Sequence, residues 1–250
     1  MDISGRTALV TGGSRGIGAA TALALAARGA NVVISARRFD ATAQQTLDQL
    51  RGSGRQPLFV QTDFHDPARA AKECVDQTLG RFGSLDILVH SAGGPVNGGL
   101  FEIDEAAWQA AFNVHVHAVF HLCRAAVPVM KPKREGAIIL ISSTAGLRGI
   151  VTNIAYQVAK GALPQMARAL ARELAADNIR VNAVAPGVIR TEFHAAMTEQ
   201  QRRLNLEQRI PLRREGTPED VAQVIVELIR NDYITGETFT IDGGLTMRIA

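Results

Sequence analysis

The stretch Thr11-Gly12-Gly13-Ser14-Arg15-Gly16-Ile17-Gly18 follows a short apolar run at residues 7–10 and precedes an alanine-rich helical pattern. Glycines placed between a strand and a helix allow the backbone to approach a ligand closely. A helix that begins near Gly16 also offers free N–H groups and a positive dipole end to a pyrophosphate. The stretch therefore predicts a dinucleotide-binding turn, to which Gly12, Ser14, Arg15 and the residues up to Gly18 contribute.

Short apolar runs alternate with longer helical patterns over the 250 residues. The runs predict strands at residues 7–10, 31–35, 58–61, 85–89, 137–141, 179–184 and 237–241. The patterns between them predict helices at residues 16–29, 40–52, 66–82, 104–131, 153–176 and 217–231. Because the runs are continuously apolar, the strands should be covered on both faces. This alternation predicts a single-domain, doubly wound, Rossmann-like α/β fold over 1–250, with a seven-stranded parallel sheet and helices on both faces.

Composition excludes several classes of protein. Apolar residues make up 46% of the chain and charged residues 20%, as in ordinary globular proteins. No apolar run reaches the ~20 residues that span a bilayer, and no secretory leader pattern opens the chain, so we expect a cytoplasmic protein. The net charge of +3 comes without a nucleic-acid-binding motif, so we expect no nucleic-acid partner. His117 and His121 share a helix face, yet no pattern of metal ligands accompanies them, so we expect no metal.

A second stretch, Tyr156-Gln157-Val158-Ala159-Lys160, carries the predicted chemistry. Tyr156 and Lys160 are four residues apart on one helix face, and Ser143 follows the end of a predicted strand. A nearby ammonium favours the phenolate, so Lys160 should lower the pKa of Tyr156 towards neutrality. The serine hydroxyl can hold a substrate oxygen beside the phenol. We expect Tyr156 to exchange a proton with a carbonyl or alcohol.

The residues after the second predicted strand bear on the choice of cofactor. A carboxylate there would select NAD by binding the ribose hydroxyls, but the chain has Ser35-Ala36-Arg37-Arg38. Arg37 can pair with a 2′-phosphate, and Arg15 should lie on the same side. We therefore expect NADP(H) rather than NAD(H).

With these motifs the chain resembles the short-chain dehydrogenase/reductase family, essentially from end to end. The resemblance implies that Asn113 completes a tetrad with Ser143, Tyr156 and Lys160 by helping to keep a water that relays protons to the lysine. It implies cofactor contacts from the residues that follow several strands: Asp63, Phe64, Ser91, Ala92, Gly93, Pro186, Gly187, Ile189 and Thr191. Ser91 stands where the family usually has an asparagine that ties neighbouring strands together. The resemblance also implies a homotetramer.

The substrate is expected to lie under an irregular segment at residues 187–216, which we interpret as a lid. The expected pocket residues are mostly apolar and include Gly94, Pro95, Val96, Thr144, Leu147, Gln157, Val188 and Met197. They favour a small or lipophilic ketone or secondary alcohol. One alternative is a 3-oxoacyl-carrier-protein reductase, in which Arg134 would meet an acidic carrier. Asp177 argues against this alternative, because such reductases commonly have a basic residue at the corresponding position. A lyase-type relative and a catalytically inactive dinucleotide-binding regulator are further alternatives, although the intact glycine turn and tetrad disfavour them.

Overall fold

One parallel sheet organises the computed structural model, which describes residues 1–194 and 197–247. Its strands are Thr7–Thr11 (β1), Asn31–Ala36 (β2), Leu58–Gln61 (β3), Ile87–His90 (β4), Gly136–Ile141 (β5), Ile179–Pro186 (β6) and Thr238–Ile241 (β7). They lie in the order β3-β2-β1-β4-β5-β6-β7, and every pairing is parallel. The predicted seven-stranded, doubly wound sheet is confirmed.

Helices cover both faces of this sheet. They are Gly16–Ala26 (α1), Ala41–Gly52 (α2), Pro67–Phe82 (α3), Glu105–Phe112 (α4), Ala118–Met130 (α5), Ile154–Leu174 (α6), Glu199–Leu204 (α7) and Pro218–Arg230 (α8). One apolar cluster lies under α3, α5 and α6, and a second lies under α1, α2 and α8. Along β1, Leu9 enters the first cluster, whereas Ala8 and Val10 enter the second. Burial on both faces explains why the strands are continuously apolar.

The strand order reverses between β1 and β4, where the first βαβ units diverge. In open α/β sheets a crevice forms at such a point, beyond the carboxyl ends of the strands. Thr11 of β1 is in register with His90 of β4, which is in register with Leu140 of β5. The turns that follow these three strands therefore meet at one edge of the sheet.

The helix predicted over 104–131 is not continuous. Between α4 and α5 the chain forms a five-residue π-helical turn at Asn113–His117, which is wound more widely than an α-helix. Such turns are uncommon and are frequent at functional sites. The wider winding changes the direction in which side chains of this segment point, so α-helical spacing alone does not identify the inward-facing residues.

The segment interpreted as a lid follows β6, and residues 195 and 196 of it lie outside the described ranges. It contains a short 3-10 turn at Glu192–His194, helix α7 with a capping box between Thr198 and Gln201, and a π turn at Asn205–Arg209. The buried Glu215 carboxylate lies 3.3 Å from Arg190 and 3.7 Å from Arg202, which joins α7 to the chain leaving β6.

None of the helices in ranges 1–194 and 197–247 combines the length and the hydropathy that a membrane span requires. The same ranges contain no group of three His, Cys, Asp or Glu side chains arranged to hold a metal ion.

Candidate active site

Ser143 lies just beyond the end of β5. Its backbone is extended, and its hydroxyl accepts a 3.1 Å hydrogen bond from the Ala145 N–H, which starts a 3-10 turn at Thr144–Gly146. The preceding Ser142 hydroxyl donates a 2.7 Å hydrogen bond to the Lys160 carbonyl in α6. This bond fixes the strand end against the helix that carries the other two predicted catalytic residues.

Tyr156 and Lys160 are one turn apart on α6, as predicted. The Tyr156 ring contacts the rings of His115 and Phe193, with centroids 5.6 Å apart in both cases. The Lys160 Nζ lies 5.8 Å from the centroid of the Tyr156 ring. Ser143 hydrogen-bonds to the phenol. The structure therefore brings Ser143, Tyr156 and Lys160 together at the crevice.

The electrostatic expectation for this pair was wrong for the chain by itself. Burial raises the pKa of the Tyr156 phenol, and the hydrogen bond with Ser143 only partly offsets that rise. Burial also lowers the pKa of Lys160 to about 7. Both side chains have lost water, and desolvation disfavours the charged form of each group. The ammonium that should assist the phenolate is therefore itself only partly charged near neutral pH.

Asn113, the expected fourth member of the tetrad, is hydrogen-bonded to neighbours other than Lys160. Its amide donates a 3.1 Å hydrogen bond to the His65 carbonyl, and its amide oxygen lies 3.0 Å from His117 Nδ1. His115 instead lies at the centre of the site, 1% exposed and edge-on to Tyr156. Asn113 is half-buried in the π turn, and its tetrad role stays a prediction. A buried histidine, for which residue type provided no signal, stands beside the tyrosine.

His90, rather than Ser91, ties the strands at this edge. His90 Nδ1 lies 2.9 Å from the Thr11 hydroxyl, and its Nε2 lies 2.9 Å from the Val114 carbonyl of the π turn. Because a carbonyl only accepts, Nε2 carries the proton and Nδ1 accepts from Thr11. The Thr11 hydroxyl also accepts from the Ala92 N–H at 3.3 Å. The imidazole therefore replaces the tie expected from an amide at position 91.

The glycine turn is shaped to receive a pyrophosphate. A Cβ at Gly12 would lie 2.7 Å from the Cα of Ala92, so the turn after β1 touches the turn after β4. Helix α1 begins at Gly16, and within the described ranges no side chain caps its N-terminus. Its first N–H groups thus remain available to an anion. Thr191 packs against the same turn, since a Cβ at Gly16 would lie 3.3 Å from its Cγ2.

The residues expected at the adenosine end are only partly as predicted. Arg37 and Arg38 are exposed directly after β2. Arg15, expected beside them as a phosphate ligand, is paired with Asp40 at 2.5 Å and with Glu192. Two carboxylates thus already compete for its guanidinium, which reduces what Arg15 can offer to a phosphate.

Asp63 and Phe64 follow β3 and differ in what they can offer a cofactor. Burial raises the pKa of Asp63, but the hydrogen bonds from His65 outweigh it and the net pKa is lowered. The Phe64 ring is 5% exposed and packs edge-on against His90, with centroids 5.7 Å apart. Only the backbone of Phe64 remains to contact a ligand, so its side chain belongs to the core.

On the nicotinamide side, Pro186 ends β6 and a Cβ at Gly187 would lie 2.7 Å from Asp242 Cβ. Ile189 is 3% exposed and joins the core, whereas Thr191 packs against the glycine turn at Gly16. This close packing fixes the chain after β6 beside the crevice.

The expected substrate residues lie in the segments that follow β4, β5 and β6 and in the first turn of α6. Thr144 is buried in the 3-10 turn after Ser143. The Gln157 amide accepts a 2.8 Å hydrogen bond from the Ile150 N–H and donates a 2.6 Å hydrogen bond to the Ile150 carbonyl, which braces the loop before α6. Met197 receives a 3.5 Å contact from the Asn205 amide. Phe193, which sequence reasoning missed, lies over Tyr156 from the lid side.

Comparison with known proteins agrees with this fold. A family model described as enoyl-(acyl carrier protein) reductase matches residues 12–246. The chain belongs to the short-chain dehydrogenase/reductase family, and it is an oxidoreductase of the class that binds a nicotinamide dinucleotide.

Curated relatives cover the whole chain. The 3-oxoacyl-[acyl-carrier-protein] reductase of Thermotoga maritima is 37% identical over 252 residues, which cover 99% of this chain and 100% of the relative. The enzyme of that name from Escherichia coli is 37% identical over 249 residues with the same coverage. The structure of L-sorbose reductase from Gluconobacter frateurii, complexed with NADPH and L-sorbose, superposes with a TM-score of 0.91 at 31% identity and covers 100% of both chains.

Proposed function

We propose that this protein is an NADP(H)-dependent reductase that interconverts a carbonyl group and a secondary alcohol. The observation that carries the proposal is the convergence of Ser143, Tyr156 and Lys160 beside the turns after β1 and β4. The residues fit the cofactor, because α1 presents an uncapped N-terminus and the glycine turn leaves no room for a Cβ at Gly12.

The proposed mechanism assigns one task to each side chain. The bound nicotinamide supplies the hydride in reduction or accepts it in oxidation. Tyr156 donates its phenolic proton to the carbonyl oxygen during reduction and removes it from the alcohol in the reverse direction. Ser143, which already hydrogen-bonds to the phenol, holds the same oxygen. Lys160, anchored to the end of β5, stabilises the phenolate that forms.

NADP(H) is proposed over NAD(H) because two exposed arginines, Arg37 and Arg38, follow β2 where a ribose-binding carboxylate would select NAD. A guanidinium can bind a 2′-phosphate in bidentate geometry. The structural relative from Gluconobacter frateurii was solved with NADPH. Arg15 contributes less than the sequence predicted, since Asp40 and Glu192 already neutralise it.

As substrate we propose first a 3-oxoacyl thioester, the alternative weighed on sequence grounds. The support is that relatives named 3-oxoacyl-[acyl-carrier-protein] reductase align over the full chain at 37% identity. Arg134 is exposed near the end of α5 and is available to an acidic carrier.

A free ketone or sugar is the second candidate, and one contact favours it. Asp177 pairs with Lys131 at 3.2 Å, so a carboxylate neutralises one of the cations beside Arg134. An acidic carrier would meet a weaker positive field at this surface than the number of basic residues suggests.

A substrate panel tests these candidates. The purified protein is assayed with NADPH and NADH against a carrier-linked 3-oxoacyl thioester, a small-molecule thioester of the same acyl group, a cyclic ketone and L-sorbose. We expect the thioesters to exceed the free carbonyls in kcat/KM by about tenfold or more. A preference for the cyclic ketone or sugar would support the second candidate, and failure to reduce any of them would contradict the proposal.

The carrier is tested separately with Asp177→Arg. If a carrier docks beside Arg134, this variant should lower KM for the carrier-linked substrate and leave KM for the small thioester unchanged. Equal effects on both substrates would contradict docking at this surface.

We further propose a homotetramer that works in the cytoplasm and closes residues 187–216 over its substrate. Exposed Phe120 on α5 and Val158 on α6 support an assembly, with 48% and 46% of their surfaces accessible in the isolated chain. Cys74 and Cys123 are buried free thiols, as expected in a reducing compartment. Native mass spectrometry tests the assembly, and a monomer at micromolar concentration would contradict it.

A further inference from the structure

One guanidinium joins three segments that are far apart in the sequence. Arg15 lies in the glycine turn directly before α1, and it pairs with Asp40 at 2.5 Å and with Glu192. Asp40 precedes α2, and Glu192 begins the 3-10 turn after β6. The Arg15 side chain keeps 45% of its surface exposed, so a ligand can still reach it. Arg15 therefore connects the turn expected to bind a pyrophosphate with the segment after β2 and with the predicted lid.

The Asp40 carboxylate divides its two oxygens between two partners. Its Oδ1 accepts a 3.0 Å hydrogen bond from the Ala43 N–H, which caps α2, and its Oδ2 faces Arg15. The hydrogen bond from Ala43 and the charge of Arg15 lower the pKa of Asp40. The group is therefore a carboxylate at neutral pH, and the helix holds it in place independently of Arg15.

The Glu192 carboxylate is placed by the residues on either side of it. Thr191 packs against the glycine turn at Gly16, and the Phe193 ring contacts the ring of Tyr156. These two contacts hold the main chain of residues 191–193 between the glycine turn and α6. Glu192 is thereby kept within reach of the Arg15 guanidinium.

The second arginine expected at a 2′-phosphate also has an acidic neighbour. The charge of Arg37, which follows β2, acts on the Asp63 carboxylate after β3. Both Arg37 and Arg15 therefore have a carboxylate nearby, which lowers the net positive charge at the adenosine end. A 2′-phosphate brings about two negative charges to this place at neutral pH. Its binding free energy must therefore depend on the carboxylates as well as on the arginines.

We propose that Asp40 and Glu192 are specificity-determining residues that compete with the 2′-phosphate of NADP(H) for the Arg15 guanidinium. This inference rests on the proposed function, in which arginines after β1 and β2 select NADP(H). A guanidinium binds a carboxylate and a phosphate through the same donors, so one partner must yield to the other. NAD(H) lacks the 2′-phosphate and leaves both ion pairs intact. The two carboxylates thus reduce the preference for NADP(H) below what the arginines by themselves would give.

The first test measures binding of two cofactor fragments by calorimetry and needs no turnover. Adenosine 2′,5′-bisphosphate and adenosine 5′-monophosphate differ only in the 2′-phosphate. We expect Glu192→Gln and Asp40→Asn each to shift the ratio of the two Kd values about threefold or more in favour of the bisphosphate. Asparagine still caps α2, so the second variant keeps the helix start. An unchanged ratio in both variants would overturn the proposal.

Two matched controls remove the same charge from the same segments. Glu199→Gln lies in the first turn of α7 within the predicted lid, and Asp48→Asn lies in α2, where Asp48 pairs with Arg51. Neither substitution removes one of the ion pairs that Arg15 makes, so the ratio of Kd values should stay that of the wild type. A shift as large as that of Glu192→Gln would assign the effect to the general negative field and would contradict competition for Arg15.

A double-variant cycle tests whether the effect passes through Arg15. In an Arg15→Met background the cation is absent, so adding Glu192→Gln should leave the ratio of the two Kd values unchanged. If Glu192→Gln shifts the ratio as much in this background as in the wild type, the carboxylate acts without Arg15 and the proposal is overturned.

These measurements separate the inference from the proposed function. A wild-type preference for the bisphosphate that stays constant in Glu192→Gln and Asp40→Asn would contradict this inference and retain the choice of NADP(H). A preference that grows in the two variants of a protein that reduces no carbonyl would retain this inference and contradict the proposed reaction.

Discussion

The Lys160 ammonium donates a 2.6 Å hydrogen bond to the carbonyl of Ile141, the last residue of β5. This bond anchors the lysine to the sheet two residues before Ser143 and leaves it buried beneath the crevice. Through this hydrogen bond, Lys160 supports the structure of the site as well as its proposed chemistry. It also gives the protein a dependence of stability on pH.

The first prediction concerns that dependence. Burial lowers the pKa of Lys160 to about 7 in the folded chain, whereas an unfolded lysine titrates near 10.5. Between these pH values the unfolded state binds more protons, so this group makes the free energy of unfolding rise as pH increases from about 7 to about 10. Lys160→Met should flatten this rise in urea melts at pH 7 and 9.5, and it should also abolish turnover. The same slope in both proteins would contradict the lowered pKa of Lys160.

The second prediction concerns Tyr156. Tyr156→Phe removes the proposed proton donor and should reduce kcat by about 10²–10⁴-fold, the usual contribution of a general acid or base. Because the ring remains, NADPH affinity measured by fluorescence titration should stay within twofold of the wild type. Tyr233→Phe is the control, since Tyr233 is 96% exposed and distant from the crevice. A Tyr156→Phe enzyme with a tenth of the original rate would rule the phenol out as the donor.

The third prediction concerns cofactor selection. Arg37→Ala should lower kcat/KM for NADPH by about tenfold or more and change the value for NADH by less than twofold, because only NADPH carries the 2′-phosphate. Arg81→Ala at the end of α3 removes the same charge far from this strand end and should alter neither value. An equal loss of kcat/KM with both cofactors would show that Arg37 does not bind the 2′-phosphate.

The fourth prediction concerns stability. The buried Arg180 guanidinium donates to the carbonyls of Leu228 at 2.5 Å and Ile229 at 2.6 Å, near the C-terminus of α8. Arg180→Met leaves these carbonyls without their donor and should cost about 3 kcal/mol of unfolding free energy. Arg230→Ala, at the same helix end but exposed, should cost less than about 1 kcal/mol. Equal urea midpoints for the two variants would contradict this assignment.

Much of the architecture follows from local patterns. The strand prediction at 58–61 matches β3, and the others differ from the structure by one or two residues at one or both ends, because a buried strand needs a short continuous apolar run. The glycine turn could also be predicted from the sequence. The backbone of Ala92 approaches Gly12 so closely that only glycine, which has no Cβ, fits there. Ser143, Tyr156 and Lys160 meet as predicted because strand ends and one helix face bring them together.

The partner of Tyr156 could not be chosen in this way. Asn113 and His115 are two residues apart, so they point to opposite sides of a helix, and the sequence does not say which side faces the crevice. Residue type favoured the asparagine, whereas the π turn and its two histidine–carbonyl bonds direct the imidazole inward.

The sequence by itself determined the sheet, the position of the cofactor turn and the three side chains proposed for catalysis, because each depends on residues that are adjacent or regularly spaced. Only the tertiary structure decided that His115 stands beside Tyr156, that Arg15 is held by Asp40 and Glu192, and in which direction burial moves the pKa values of Tyr156 and Lys160. These properties arise from what packs against a side chain and how much water it loses, and distant segments supply both.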